Sequence, residues 1–274
     1  MTSPIMSTEQ HLTEVLDSFG DSADPRLVDI LRSLVTHMHS FVIETGLTRE
    51  EWMSGIEFLT AVGHKSTDHR QEFILLSDTL GVSMLVEMVN QNASDGATEP
   101  TVFGPFYVPG AQARAMGDSI APQGSIGREI TMFGVVRSST GESLRDAVLE
   151  VWQVTPNGLY AVQDPSIDPM SYRGTYRTAD DGSYEIRTTT PVDYQIPTVG
   201  PVGKMLQATG RSSWRPAHIH FMVSHPTHKT VITHVFDEGS PYLRNAAVFG
   251  VRDSLVVDMS SREASFDFVL DRVS

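Results

Sequence analysis

In Arg215-Pro216-Ala217-His218-Ile219-His220-Phe221 two histidines stand two residues apart. An extended backbone would put both imidazoles on one face and turn Ile219, Phe221 and Val223 to the other. Such a pair, backed by an apolar face, can fill two adjacent positions of a metal's coordination sphere. Alone it is a weak signal, because two histidines on a solvated strand face are common and need no metal. The chain has no cysteine, hence neither disulfides nor thiolate ligands, so further ligands would have to be His, Tyr, Asp or Glu.

Two tyrosines stand in loop-like contexts. Tyr160 follows the Pro156-Asn157-Gly158 turn after Val148-Leu149-Glu150-Val151-Trp152, and Tyr194 ends Pro191-Val192-Asp193-Tyr194. A phenol with a reference pKa of about 10 becomes a phenolate at neutral pH only beside a strong Lewis acid, and ferric ion is one. Each tyrosine taken singly reads more readily as a half-buried aromatic with a hydrogen-bonded hydroxyl.

The elements that must position these groups fall into two kinds. Between Pro25 and Glu44, residues Leu27, Ile30, Leu31, Leu34, Val35, Met38, Phe41 and Val42 recur at three and four, which predicts an amphipathic helix. Thr48 and Glu51 resemble a capping box opening a second helix through Trp52, Ile56 and Leu59. A third is expected over 68–92, and the Gly, Ser, Asp and Pro between Asn92 and Thr101 read as a linker. After Gly104-Pro105 the period changes. Strands are expected at 130–137, 147–154, 183–187, 217–224, 230–236 and 264–269, with Asp181-Gly182 as a hairpin turn. Many short strands at this spacing suggest a mainly antiparallel β-sandwich or barrel.

At 274 residues and 40% hydrophobic content, the chain can form one large domain or a core domain with an appendage. A formal charge of −14, with 20 scattered Lys and Arg, argues against nucleic acid as a partner. The opening MTSPIMSTEQ lacks the basic and apolar segments of a signal peptide, and no stretch approaches the roughly 20 apolar residues of a membrane span. A cytoplasmic protein is expected, with no membrane partner.

The motifs GLY at 158–160, TPVDY at 190–194 and RPAHIHF at 215–221 occur in the order and approximate spacing of the intradiol ring-cleaving dioxygenases, and the chain resembles that family. The likeness extends to LRDAVLEVWQ at 144–153, to YRGTYRTADDGSYEIRT from 172 and to the helical N-terminus, so it covers most of the sequence. It implies a mainly β fold: an antiparallel β-sandwich catalytic core over 102–274 and an N-terminal α-helical linker and dimerisation domain over 1–101. It also implies Fe(3+) held by Tyr160, Tyr194, His218 and His220, a small aromatic diol and O2 as substrates, and a homodimer joined through the N-terminal helices. Arg215 would be the cation beside the substrate, and Tyr194 the ligand that leaves and takes a proton when a diol binds as a dianion. His234 stands where catechol-cleaving members carry glutamine, and its role is open. His11, His37, His39, His64, His69, His225 and His228 are not expected to be ligands.

Within the family the sequence is most similar to hydroxyquinol 1,2-dioxygenases, for example in FGPFY where catechol enzymes more often have EGPLY. That likeness makes Leu75, Asp78, Val102, Phe103, Gly104, Pro105, Phe106, Ile196, Pro197 and Val248 the expected substrate-binding residues. Alternatives are a chlorocatechol or catechol 1,2-dioxygenase and, more remotely, a metal-free β-sandwich binding module. A zinc hydrolase built on the histidine pair lacks a motif such as His-Glu-x-x-His.

Overall fold

The computed structural model describes residues 7–20, 24–68, 70–90, 94 and 96–273. His69, Asn92 and the first six residues of MTSPIMSTEQ lie outside the described residues. The chain divides into two compact units, Met1–Thr60 and Ala61–Ser274. Residues 61–101 thus pack with the second unit, and the division falls before the change from helices to strands.

The first unit holds α1 (Thr8–Asp17), α2 (Pro25–Thr45) and most of α3 (Arg49–Lys65). Helix α1 was not anticipated, although Ser7 and Gln10 cap it reciprocally in the Ser-x-x-Gln pattern that announces a helix start. Asp24 caps α2, which has proline at its first turn, and the Thr48–Glu51 box closes in both directions at the start of α3.

In the second unit the expected third helix is two, α4 (Glu72–Thr79) and α5 (Val82–Asn90). Gly81 separates them at φ +77°, a left-handed conformation that ends a helix and that side-chain-bearing residues rarely adopt. The expected linker is a strap: the Thr98 and Thr101 amides donate to Val269 and Ile232 carbonyls, and Thr101 is buried.

Two sheets enclose the core. In one, β1 (Glu129–Ser138) pairs antiparallel with β4 (Ser183–Thr189), and parallel with β10 (Glu263–Ser265) and β11 (Phe268–Leu270) in succession. The other has the order β3 (Arg173–Arg177), β2 (Val148–Trp152), β7 (His218–His225), β8 (His228–Asp237), β9 (Val256–Val257), antiparallel except for β8 with β9. The sheets are therefore mixed. The expected strand over 264–269 is broken at Phe266 and Asp267, where the Asp267 carboxylate accepts the Val135 amide. Asp181-Gly182 does form a tight turn, yet it joins no hairpin, because β3 and β4 belong to different sheets. Both send a tyrosine, Tyr176 and Tyr184, into the shared core.

Alternation sorts the second sheet by face. Leu149, Val151, Ile219, Phe221, Val223 and Val235 point into the core with Ile130, Met132, Val136 and Phe268 of the first sheet. Each such side chain contributes about 1.5–3 kcal/mol through burial. This fixes the register of β7, since a slip of one residue would take Ile219, Phe221 and Val223 out of the core and put His218 and His220 into it. A short ladder of β5 (Tyr194–Gln195) with β6 (Trp214–Arg215) and the helix α6 (Pro201–Ala208), absent from the sequence expectation, complete the unit.

Candidate metal centre

The face of the second sheet turned away from the core carries the chemistry. Register sets Arg173, Trp152, His220 and His234 in one row across β3, β2, β7 and β8, with His218 opposite Phe236 in the next pair. His218 and His220 are both buried, and their Nε2 atoms lie 3.1 Å apart. The β5–β6 ladder pairs Tyr194 directly with Arg215, and Asp193 ties it to the start of β7 by accepting the Ala217 amide (2.8 Å) and the Ser240 hydroxyl. Tyr160 is held from below by Gln163, whose side-chain oxygen accepts the Tyr160 amide, and from the side by Phe106, stacked at 4.8 Å.

These positions bring all four expected ligands together. The Tyr160 hydroxyl lies 2.7 Å from His220 Nε2 and 3.1 Å from the Tyr194 hydroxyl. Separations near 3 Å are what metal–donor bonds of about 2.1 Å at right angles leave between neighbours. His218 Nδ1 lies 2.6 Å from the Pro216 carbonyl, which can only accept, so the proton sits on Nδ1 and Nε2 offers a lone pair to the cluster. Two phenols and two imidazoles, with no thiolate and no carboxylate among them, fit a metal ion that accepts nitrogen and anionic oxygen donors.

Electrostatics support this. Burial, followed by Arg215 for His218 and by His234 for His220, holds both imidazoles well below their ordinary pKa, so they are neutral and free to ligate. Burial and the neighbouring Tyr194 push the Tyr160 phenol up, while Arg215 and Arg173 pull the other way. A Lewis acid at the centre would replace the proton that Tyr160 otherwise keeps. Burial opposes the Arg215 charge, but Tyr194, Tyr160 and Asp78 outweigh it and raise its pKa.

The ligand atoms of His218, His220 and His234 also lie within 4.8 Å of one another. His234 differs from the other two in that neither of its nitrogens is hydrogen-bonded to an expected ligand: Nδ1 meets the Thr101 hydroxyl and Nε2 an Arg215 nitrogen at 3.3 Å. Arg215 extends its other terminal nitrogen to the Tyr194 hydroxyl, also at 3.3 Å.

The residues expected around a substrate divide into groups. Phe106, Tyr194, Ile196 and Pro197 line an open cleft of about 800 Å³. Its wall is braced by buried Glu72, which pairs with Arg70 (2.6 Å) and accepts the Val202 amide at the start of α6. Gly104, at φ +81° and backed by buried Pro105, brings its backbone so close to the centre that a Cβ there would meet the His220 ring at 3.3 Å. Phe103 packs on Tyr107 and Trp152 instead. Val102 and Val248 form a buried cluster with Met84, apart from that cleft. Leu75 and Asp78 are buried on α4. Neither Asp78 oxygen has a hydrogen-bond partner, the nearby Ser83 hydroxyl being given to Ser77 (2.8 Å). Burial raises the Asp78 pKa against the opposing effects of Ser83 and Arg215.

Sequence reasoning missed Thr101, Trp152 and Arg173. Trp152 stacks on His220, and Arg173 is a buried cation at the end of the same row whose Nε and one terminal nitrogen have no hydrogen-bond partner. Strand register reveals Trp152 and Arg173, and the strap's contacts with β8 reveal Thr101; neither is written in any local motif.

The chain matches the Dioxygenase family model over residues 102–272 and the model for the catechol dioxygenase N terminus over 24–98. It is 45% identical over 270 residues to 6-chlorohydroxyquinol 1,2-dioxygenase of Cupriavidus pinatubonensis, covering 96% of this chain and 98% of that one. It is 44% identical over 269 residues to hydroxyquinol 1,2-dioxygenase of Nocardioides simplex, covering 96% and 91%. Among solved structures it superposes on hydroxyquinol 1,2-dioxygenase from Pseudomonas putida DLL-E4 with a TM-score of 0.87 at 44% identity, over 97% of this chain and 99% of that one. Catechol 1,2-dioxygenase from Acinetobacter sp. ADP1 aligns with a TM-score of 0.85 at 26% identity, over 97% and 92%. With matches along nearly its whole length, and with the four expected ligands converging on one buried centre, the chain belongs to the intradiol ring-cleavage dioxygenases.

Proposed function

We propose that the protein cleaves hydroxyquinol, 1,2,4-benzenetriol, between its two adjacent hydroxylated carbons with O2, giving 3-hydroxy-cis,cis-muconate, the enol form of maleylacetate. The observation that carries the reading is the convergence of Tyr160, Tyr194, His218 and His220 beside Arg215. A pair of phenols favours Fe(3+) over zinc, whose usual ligands are thiolates, imidazoles and carboxylates. When bound, ferric ion would draw electron density from a coordinated diol and open its ring carbon to O2.

The protein's own groups then have distinct tasks. Tyr160, wedged between Phe106 and His220, is the fixed ligand. Tyr194 lies on the cleft, and its oxygen receives the Arg215 hydrogen bond, so it is the one placed to leave and take a proton from the incoming diol. Arg215 stays charged and stabilises the electron-rich ring in a site largely shielded from water. Asp78 supports the choice of hydroxyquinol, because a buried carboxylate without a partner offers one to a third ring hydroxyl. Leu75, Val102 and Val248 would shape the pocket wall on that side, and Phe103 would act on the site through its packing against Trp152.

On this reading residues 1–101 are the linker and dimerisation part and 102–274 the catalytic part, and the enzyme works in the cytoplasm. Among the described residues no helix is long and apolar enough to cross a membrane. Leu27, Ile30, Leu34, Met38 and Phe41 form an exposed apolar row on α2, which suits a homodimer contact; light scattering should give twice the chain mass of 30.1 kDa. Oxygen uptake with hydroxyquinol, catechol and chlorocatechols side by side tests the activity. Preference for catechol or a chlorocatechol moves the protein to another branch, and no uptake by iron-loaded protein refutes the reading.

A further inference from the structure

His234 is fully buried in the middle of the cluster, its ring centroid 4.1 Å from that of His220 and 4.8 Å from that of His218. Proximity alone would make it a third histidine ligand or a proton carrier. Its hydrogen bonds say otherwise. A guanidinium can only donate, so the Arg215 contact at 3.3 Å requires a lone pair on His234 Nε2. The ring proton is then on Nδ1, which faces the Thr101 hydroxyl oxygen. Thr101 is in turn fixed by its own amide, which donates to the Ile232 carbonyl two residues before His234 on β8. The lone pair a metal would need is committed to Arg215.

Arg215 has two terminal nitrogens, one on His234 and the other on the Tyr194 hydroxyl. Because the guanidinium is planar and rigid, fixing one arm fixes where the other points. We propose that His234 is a positioning residue and not a metal ligand: with its tautomer set by Thr101, it aims the Arg215 guanidinium at the oxygen of Tyr194. The inference rests on the reading of Tyr194 as a metal ligand given above. The chain Thr101, His234, Arg215, Tyr194 links the strap over β8 to the ligand on the open side of the centre.

The test compares iron-loaded H234L, H234Q, T101V and R215Q proteins and the H234L/R215Q double variant. Leucine removes the acceptor, whereas the side-chain carbonyl of glutamine keeps it. All should bind one iron per chain. H234L and T101V should shift the visible tyrosinate-to-iron absorption in the same direction and lower kcat about tenfold or more, with a smaller change in KM, as expected when a hydrogen bond from a charged donor is lost. H234Q should restore the band and most of kcat. In the R215Q background H234L should add little, since both changes break one contact. Loss of iron from H234L and H234Q alike would make His234 a ligand, and an equal kcat loss with and without Arg215 would sever the link; either overturns the proposal. Nitrogen NMR of the full chain loaded with diamagnetic gallium gives an independent reading: a proton on His234 Nδ1 is required, and one on Nε2 sinks the idea. If the unaltered chain binds iron but cleaves no diol, the functional reading fails by itself, while the band and the tautomer still decide on His234.

Discussion

Trp152 lies nearly parallel to His220, with ring centroids 4.7 Å apart and 17° between planes. The two face each other across the β2–β7 ladder, so the indole is delivered by the same register that delivers the imidazole. Tyr107 and Phe103 in turn pack on the indole. His220 Nδ1 has no hydrogen-bond partner, so stacking takes over the orienting role that a polar partner usually plays for a ligating histidine. Trp152→Leu is therefore expected to lower iron affinity about tenfold in competition with a chelator, as loss of a supporting group around a metal ligand does. Trp152→Phe, which keeps a flat face, should lose much less. Equal affinity in all three proteins would remove the indole from the account.

The four proposed ligands make a stronger demand. Tyr160→Phe or His218→Ala takes away a group that points at the centre, and iron content should fall about tenfold or more, together with the visible colour that tyrosinate-to-iron charge transfer gives. His225→Ala, at the far end of β7 and bonded only to its neighbours in the turn, should leave both intact. Metal analysis of the purified variants decides. A colourless, zinc-loaded and fully active protein would replace iron in this picture.

How far these features could be read in advance depended on their range. The alternation around His218 and His220 was legible, because period two and the apolar run Ile219, Phe221, Val223 are local, and both histidines fall on the face opposite the core. Tyr160 and Tyr194 came from resemblance; nothing in their own neighbourhoods separates a ligand from a buried phenol. Thr101 was read as linker because its surroundings are polar and rich in breakers, yet it is buried against β8 by contacts more than 130 residues away in the chain. The Asp181-Gly182 turn shows the same limit: the reversal is local, but which sheet each arm joins is set by distant pairing, β3 with β2 and β4 with β1.

Tyr184 also supplies a pH dependence away from the metal centre. Burial, with Asp267 adding to it, holds this phenol well above its ordinary pKa, and its hydroxyl donates to the Phe266 carbonyl at 2.7 Å. The stabilisation is complete below the unfolded value of about 10. As pH rises past that value the unfolded chain releases a proton that the folded chain retains, so stability declines by up to about 1.4 kcal/mol per pH unit from this group. Tyr184→Phe should cost about 1 kcal/mol at neutral pH through the lost hydrogen bond, and should flatten the decline above pH 10 by that share. Denaturant unfolding at several alkaline pH values measures both, and an unchanged slope would show that Tyr184 titrates alike in the two states.

On the proposed reading, substrate choice turns on Asp78. Its carboxylate is 1% exposed, has no hydrogen-bond partner and lies within electrostatic reach of Arg215. An unsatisfied buried carboxylate is costly, and a fold retains it at a site where something else will bond to it. Hydroxyquinol carries one hydroxyl more than catechol, and leaving that hydroxyl buried and unpaired costs about 1–3 kcal/mol. Asp78→Ala should accordingly lower kcat/KM for hydroxyquinol by roughly 5- to 150-fold relative to its effect on catechol, with iron content and visible spectrum unchanged. Asp78→Asn, which keeps the shape and a hydrogen-bonding group, should fall between. Should both substrates lose equally, Asp78 serves the packing of α4 or the charge balance of Arg215, and selection of the third hydroxyl must be sought elsewhere on the pocket wall.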